Sequence, residues 1–345
     1  VQVAAGGGND VYLANTQGAL SLGQVVANGG DVTVHGGDGT IVDGNAAGAN
    51  IVGASASIIC SNQVGSDADP IETTVDGLSV EIIEEGQSFV IAESDTLDTI
   101  SVKVNNGSFD LSFTGGAFDF DATTSTFSAS GAPSVSFENT GGDVAVGTVD
   151  APTSVTIVAS GAITDAGSAL TAATATLTAG TTIGGAGSEL NTDVDTLVIE
   201  AGEGTLHIRE ADDVTLTAVA QGTGSDVDVA TANAGDISVV KISADDEVKL
   251  EAGGSILADA QTTRLSGTSA TLTAGSAIGT VADPLETVVS TLSATANAGR
   301  LSLENYGDLA LTSATATGGD LELRNSGTMT LNTVAAAGQT ATVHS

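Results

Sequence analysis

The sequence predicts an all-β fold, a parallel β-helix (solenoid) with coils of about 20 residues. The first observation is composition: 45 of the 345 residues are Gly, 4 are Pro, and aromatic residues make up 3%. The second is that short runs rich in Val, Thr and Ser alternate with Gly, Asn and Asp turns, which is typical of many short strands. The third is that apolar-x-apolar triplets return at a nearly constant interval, about one coil in length.

The triplets define the coils. Each triplet places two side chains inside and one outside, as the two-residue period of a β-strand requires. With such a strand in every coil, residues i and i+20 become neighbours on adjacent strands. The clearest series are Leu301–Leu303 with Leu321–Leu323, 134–137 with 154–157 and 174–177, and 206–208 with 227–229 and 248–250.

A longer repeat extends over several coils. The run 175–197 aligns with 270–292, and 56–78 is a third copy. We therefore predict one continuous β-helix over 1–345, with sequence modules at 1–55 (partial), 56–174, 175–269 and 270–345. Neither end has the polar cap of a terminal coil, so we expect the chain to continue beyond 345 or the subunits to stack end to end.

Asparagine before a turn glycine is the most frequent polar feature, at Asn15, Asn139, Asn305 and Asn325. Asn and Gly tolerate left-handed backbone, and an Asn amide can hydrogen-bond the turns of neighbouring coils. We predict a structural turn ladder in which Asn305 and Asn325, one coil apart, are stacked.

All seven Phe residues lie between 89 and 137. Phe89 and Phe109 are one coil apart in the sequence, so we predict that they form an aromatic ladder in the core. The alternative for this pair is an aromatic platform that binds a ligand.

The charge balance excludes several partners. With 43 acidic and 7 basic residues, a net charge of −36, the chain cannot assemble the basic surface that nucleic acids or anionic lipids require. No apolar run reaches the roughly 20 residues of a membrane helix, so we expect no membrane insertion. Cys60, the single cysteine, lies in an apolar run where a buried, inert thiol is expected.

Metal sites are only weakly indicated. The segments 6–13 and 35–44 resemble calcium-binding nonapeptide repeats, which makes Asp10 and Asp38 candidate ligands, but such sites need tandem copies and these are isolated. Asp67 and Asp69 in an acidic loop are further candidates. The three His residues are too scattered for a recognised ligand spacing. We predict no cofactor and no metal site, with calcium as the alternative.

Catalysis is not predicted either. Polysaccharide hydrolases need paired carboxylates, and lyases need a base with cationic neutralisation. Carboxylates abound, but the basic residues are spread one per coil or fewer. We predict no enzyme, with a carbohydrate-binding or carbohydrate-cleaving β-helix as the alternative. Minor alternatives are an ice-binding array of Thr-x-Thr pairs, such as Thr271 with Thr273, and a calcium-stabilised surface-layer protein.

The run "IGTVADPLETVVSTLSATANAGRLSLENYGDLALTSATATGGDLELRNSGTMTL" is similar to repeats of filamentous-haemagglutinin-like exoproteins, the large adhesins of bacterial two-partner secretion. The similarity is clearest over 270–331 and is recognisable over 175–216 and 56–111. It implies a right-handed β-helix shaft, an extracellular location at the bacterial cell surface, and a role in attachment. It supplies no active-site residues.

These observations lead us to expect a structural shaft segment of a large secreted or cell-surface bacterial adhesin or filament, which gives reach, rigidity and attachment surface. The expected partners are a host or neighbouring-cell surface or a glycan receptor. End-to-end or lateral self-association stays open as an alternative.

Overall fold

The computed structural model describes residues 1–45, 48–105, 108–113, 116–167, 169–259 and 264–345, except the side chain of Phe113. All regular structure in these ranges is β, which confirms the predicted parallel solenoid, with turns of about 21 residues. None of it is a helix that could cross a membrane. The chain divides into two compact units, 1–162 with 166–172, and 163–165 with 173–345. The single continuous β-helix and its module boundaries stay predictions.

The first unit consists of short strands whose side chains alternate between core and surface. This alternation follows from the Val-x-Val and Ile-x-Ile patterns of the sequence. The strands are β1 (Gln2–Ala5), β2 (Val11–Ala14), β3 (Leu20–Leu22), β4 (Gln24–Ala27), β5 (Asp31–His35), β6 (Ile41–Asp43), β7 (Ile51–Val52), β8 (Ser55–Cys60), β9 (Ile71–Thr74), β10 (Gly77–Ile82), β11 (Phe89–Glu93), β12 (Thr99–Val104), β13 (Phe109–Phe113), β14 (Gly116–Asp121), β15 (Thr126–Ser130), β16 (Ser134–Asn139), β17 (Val144–Asp150) and β18 (Ser154–Ala159).

Two series of parallel strands run through the first unit. One series pairs β2, β5, β8, β10, β12, β16 and β18 in that order. The other pairs β1, β4, β7, β9, β11 and β13. Val135 lies opposite Val155, which is the i to i+20 pairing that the triplets predict. Val32 lies opposite Ala56 instead, because the turns between those strands are longer.

An antiparallel excursion interrupts the second series. β14 pairs antiparallel with both β13 and β15, and β15 then pairs in parallel with β17. The first series passes directly from β12 to β16, so the second series has two additional strands at this level. Phenylalanine side chains fill the interior here: the rings of Phe118, Phe127 and Phe137 lie with their centroids 4.6 to 5.8 Å apart. The concentration of Phe in this segment therefore supplies the core of the excursion.

The second unit has the same alternation of buried and exposed side chains. Its strands, of which β20 also contributes its first residues to the first unit, are β19 (Ile163–Asp165), β20 (Ala169–Ala179), β21 (Leu190–Ala201), β22 (Leu206–Glu210), β23 (Val214–Ala220), β24 (Val227–Thr231), β25 (Ile237–Ser243), β26 (Glu247–Ala252), β27 (Ile256–Ala258), β28 (Arg264–Ser266), β29 (Ser269–Ala274), β30 (Leu285–Val288), β31 (Thr291–Ala296), β32 (Leu301–Asn305), β33 (Leu309–Ala316), β34 (Leu321–Asn325), β35 (Met329–Ala336) and β36 (Ala341–His344).

Two parallel series also run through the second unit. One joins β21, β22, β24, β26, β29, β31, β33 and β35. The other joins β21, β23, β25, β28, β30, β32, β34 and β36. Leu301 lies opposite Leu321 and Val227 opposite Val248, so the one-coil steps that the triplets predict are the observed ones.

Close stacking of the coils depends on glycine at selected turns. A Cβ atom on Gly253 would overlap the carbonyl oxygen of Asn233 in the preceding coil. A Cβ atom on Gly185, in contrast, would meet no described atom within 4 Å. Glycine is therefore a packing requirement at 253 and not at 185.

Candidate functional site

A buried polar contact recurs in three places, and we call it the node. In each node a Thr hydroxyl donates to a buried side chain on the next coil: Thr73 to Glu93 (2.6 Å), Thr192 to Glu210 (2.5 Å) and Thr287 to Asn305 (2.9 Å). The backbone N–H two residues after the Thr donates to the same side chain, at 3.0 to 3.2 Å. The three Thr residues occupy the same position of the aligned runs that begin at 56, 175 and 270.

The node joins consecutive coils from the inside. Glu210 is fully buried, and its carboxylate also accepts the N–H of Ala211 at 2.9 Å. Burial disfavours the charged form more than these hydrogen bonds favour it, so the pKa of Glu210 is raised. A buried polar group without a partner destabilises the fold, and here each acceptor satisfies a backbone donor of the neighbouring coil. Glu93 and Glu210 are not among the site residues predicted from the sequence, because each lies far from its Thr in the chain.

The predicted turn asparagines divide into two kinds. Asn305 donates from Nδ2 to Oδ1 of Asn325 at 2.9 Å, and Asn325 donates to the carbonyl oxygen of Gly327 at 2.7 Å. Asn139 and Asn15 each donate to a carbonyl oxygen of their own turn, at 2.9 and 2.7 Å. The structure thus brings Asn305 and Asn325 together and extends the third node by one coil.

Phe89 and Phe109 lie opposite each other on β11 and β13, with ring centroids 6.5 Å apart. Both side chains are completely buried. Each is therefore surrounded by core residues, and neither ring is exposed to a ligand.

The four candidate metal ligands are dispersed. Asp10 accepts the N–H of Asp31 in the next coil at 2.9 Å. The backbone of Asp38 accepts a hydrogen bond from Asn62. Asp67 and Asp69 line two separate surface grooves.

A cluster of three carboxylates that was not predicted from the sequence lies in the second unit. Oxygens of Asp193, Glu210 and Asp212 are within 4.8 Å of one another. Glu210 belongs to the second node, where three donors already occupy its oxygens. The buried member of this cluster therefore has a structural role in joining two coils.

A second feature is on the outside, and we call it the charged face: Arg264, Glu286, Glu304, Tyr306 and Arg324. Glu286 lies opposite Glu304, and Glu304 lies opposite Arg324, on the outer side of β30, β32 and β34. Three of the four arginines of this acidic chain and one of its two tyrosines lie between 264 and 324. The sequence did not predict such a face, because its basic residues are spread one per coil or fewer.

One end of the charged face is an interlocked triad. Nε of Arg264 lies 3.5 Å from Oε2 of Glu286, and the guanidinium carbon lies 5.1 Å from the centre of the Tyr306 ring. The Tyr306 hydroxyl donates to Oε1 of Glu286 at 3.3 Å. Burial, and then the negative charge of Glu286, raise the pKa of Tyr306, so this hydroxyl stays a donor at neutral pH.

The other end of the charged face is held differently. Arg324 donates to Oε1 of Glu322 at 2.7 and 3.0 Å, and a nitrogen of Arg300 lies 3.6 Å from Oε2 of the same carboxylate. Arg324 is therefore paired along its own strand. Glu304 lies between Arg324 and Glu286 on adjacent strands. Its carboxylate forms no ion pair with any of the described residues.

A groove of about 290 Å³ adjoins the charged face. Val281 and Pro284 form part of an apolar wall, and Val281 is 65% exposed. Asp283 and Arg324, together with Glu286 and Glu304, supply the polar lining. The groove therefore offers hydrogen-bond acceptors, a cationic donor and an apolar contact side by side.

The other two modules have different residues at the positions of the charged face. We call a set of outward residues that lie opposite one another on adjacent parallel strands a rung. The rung of the third module is Glu286, Glu304 and Arg324, and the corresponding rung of the second module is Asn191, Arg209 and Ala230. In the first module it reads Glu72, Ala92, Ser112. The coil therefore does not require the charged face. No family model, curated protein or solved structure matches the chain.

Proposed function

We propose that this chain is a structural shaft segment of a large secreted or cell-surface bacterial adhesin or filament. The observation that supports this most is the node, which links adjacent coils from the inside at the same place in three modules. A solenoid whose coils contact only their neighbours can be lengthened coil by coil, and buried links keep it stiff. Reach and rigidity are the properties that such a design provides.

The surface and the sequence pattern support the same role. The net charge of −36 keeps such chains apart in solution and repels phosphate and anionic lipid. The similarity of 270–331 to filamentous-haemagglutinin-like repeats favours right-handed winding and display at the bacterial cell surface. The proposed contacts are accordingly with a cell surface or its glycans.

Bead attachment tests the proposal. Beads coated with the folded full chain are presented to bacterial and epithelial cells, and bound beads per cell are counted by microscopy. The matched control carries the same chain unfolded in urea before coupling, which has the same charge and composition. We expect the folded chain to attach more beads; equal counts would contradict an attachment role.

A second candidate, a carbohydrate-cleaving β-helix, is favoured by one observation. Glu286 and Glu304 lie side by side on adjacent strands, with Arg264 against Glu286. Paired carboxylates can act as acid and base on a glycosidic bond. Release of reducing ends from neutral polysaccharides by the parent chain, and none by the Glu286→Gln/Glu304→Gln variant, would establish this activity.

A further inference from the structure

We propose that the charged face and its groove bind one or two sugar residues of a neutral glycan. The inference rests on the proposed attachment function, because it names the part of the shaft that touches a receptor. The groove beside Val281 and Pro284 would hold the sugar, and Glu304 and Arg324 would form its main polar contacts.

The three modules share their interior and differ on the outside. All three modules have the inward Thr and the side chain that accepts its hydrogen bond. The buried contact that joins the coils is therefore common to the three modules. On the outside, Glu304 is replaced by Ala92 in the first module and by Arg209 in the second. Tyr306, which follows the node acceptor Asn305, corresponds to Ser94 and Ala211. The third module thus has outer groups that the coil does not require.

The charges of the groove favour a neutral ligand. Asp283, Glu286 and Glu304 would repel an anion, whereas a simple cation would lie against the guanidinium of Arg324, which lines the groove while paired with Glu322. A neutral polyol avoids both penalties, because its hydroxyls can donate to carboxylates and accept from a guanidinium. Glu304 has no ion pair among the described residues, so beyond its contact with the Tyr306 hydroxyl its oxygens can accept such bonds.

The shape of the groove also fits a sugar ring. Sugar rings present apolar C–H faces as well as hydroxyls, and the exposed Val281 with Pro284 offers an apolar contact beside the carboxylates. The groove volume of about 290 Å³ is just below the roughly 300–1,000 Å³ of small-molecule sites. This size suits one or two sugar rings and leaves the rest of a glycan in solvent.

The experiment uses the full chain on an array of neutral oligosaccharides, with uronate-containing and sulfated oligosaccharides as the acidic set. The best neutral binder is then titrated by calorimetry against the parent, Glu304→Gln and Arg324→Gln. We expect each variant to weaken binding about tenfold or more, because each loses a charge-assisted hydrogen bond. Arg209→Gln, at the rung position of the second module that corresponds to Glu304, is the matched control and should bind as the parent does.

The outcomes separate this inference from the proposed function. Binding to acidic glycans alone, no neutral binding, or full affinity in Glu304→Gln and Arg324→Gln overturns the sugar site. If beads coated with these two variants still attach to cells, the attachment role stands and this site is not its receptor contact. If glycan binding responds to the variants but beads never attach, the site stands and the attachment role fails. Circular dichroism melting checks that every variant is folded.

Discussion

Replacing Glu210 by Gln tests how the coils are held together. The amide keeps the shape of the carboxylate. Its oxygen can still accept the N–H groups of Val194 and Ala211, which lie 3.0 and 2.9 Å from Oε1 of Glu210 in the parent. Its NH₂ group would face the Thr192 hydroxyl, which would change from donor to acceptor. The variant therefore removes a buried charge while leaving the backbone donors of the node paired.

The expected effect is a change in pH dependence. Burial raises the pKa of Glu210, so the folded chain holds a proton that the unfolded chain has already released. The stability that this proton contributes is fully present below the unfolded pKa of about 4.3 and is lost as the pH rises through the folded pKa. Within that window the free energy of unfolding falls by up to about 1.4 kcal/mol per pH unit for one proton. Gln does not titrate, so the variant should gain on the parent as the pH rises.

Hydrogen exchange followed by mass spectrometry is the suitable assay, because a solenoid can open in parts. Peptides that cover 190–212 report the node, and the protection difference between variant and parent is measured from the unfolded carboxyl pKa of about 4.3 upward to neutral pH. Glu251→Gln, an exposed carboxylate on β26, is the control and should leave protection of 190–212 unchanged. A difference that is constant with pH, or that favours the variant more at low pH, would refute the reasoning.

Three further changes test the packing. Thr192→Val leaves an oxygen of Glu210 without its donor and should lower the free energy of unfolding by about 1–3 kcal/mol, measured by urea titration. Phe118→Ala should cost about 3–5 kcal/mol, with hydrogen exchange increased over 109–137 and not over 301–325; a uniform increase would contradict it. Gly253→Ala should lower the melting temperature by about 2 °C or more, because its Cβ overlaps a carbonyl of the preceding coil, and Gly185→Ala should not.

The interior of the coils was predictable, because identical side chains repeat at a constant step. Leu301 and Leu321 had to lie together once the triplets were taken as stacked strands, and they do. The antiparallel excursion was not predictable in the same way. β14 alternates apolar and polar residues as β12 and β16 do, and alternation fixes which side chains face inward but not the direction of pairing.

The nodes and the charged face escaped prediction for a different reason. Thr192 and Glu210 are 18 residues apart and Thr73 and Glu93 are 20 apart, so one contact occurs at two spacings. Turn length decides such a spacing, and it is not readable from strand patterns. The charged face draws one or two residues from each of four coils, so a search for local clusters in the sequence finds only isolated charges. Both features become visible only when the register of every coil is known.

We expect the charged face to disfavour an ionised side chain in the third node. Asn305 stands where the other modules have Glu93 and Glu210, and it lies between Glu304 and Tyr306 in the chain. A Glu side chain at this position, when ionised, would add a buried charge beneath the carboxylates of Glu286 and Glu304. Two like charges about 10 Å apart repel by about 1–2 kcal/mol at a dielectric constant of about 20.

A double-mutant cycle measures this term. Asn305→Glu should destabilise the chain, and Glu304→Gln should recover about 1 kcal/mol or more in the Asn305→Glu background but not in the parent. Urea titration of the four chains gives the coupling energy. The lost bond from Asn305 to Asn325 is common to both chains that carry the Asn305→Glu substitution and therefore cancels in the cycle. A coupling near zero would mean that Asn305 is retained for that bond alone, and that the face and the node are independent.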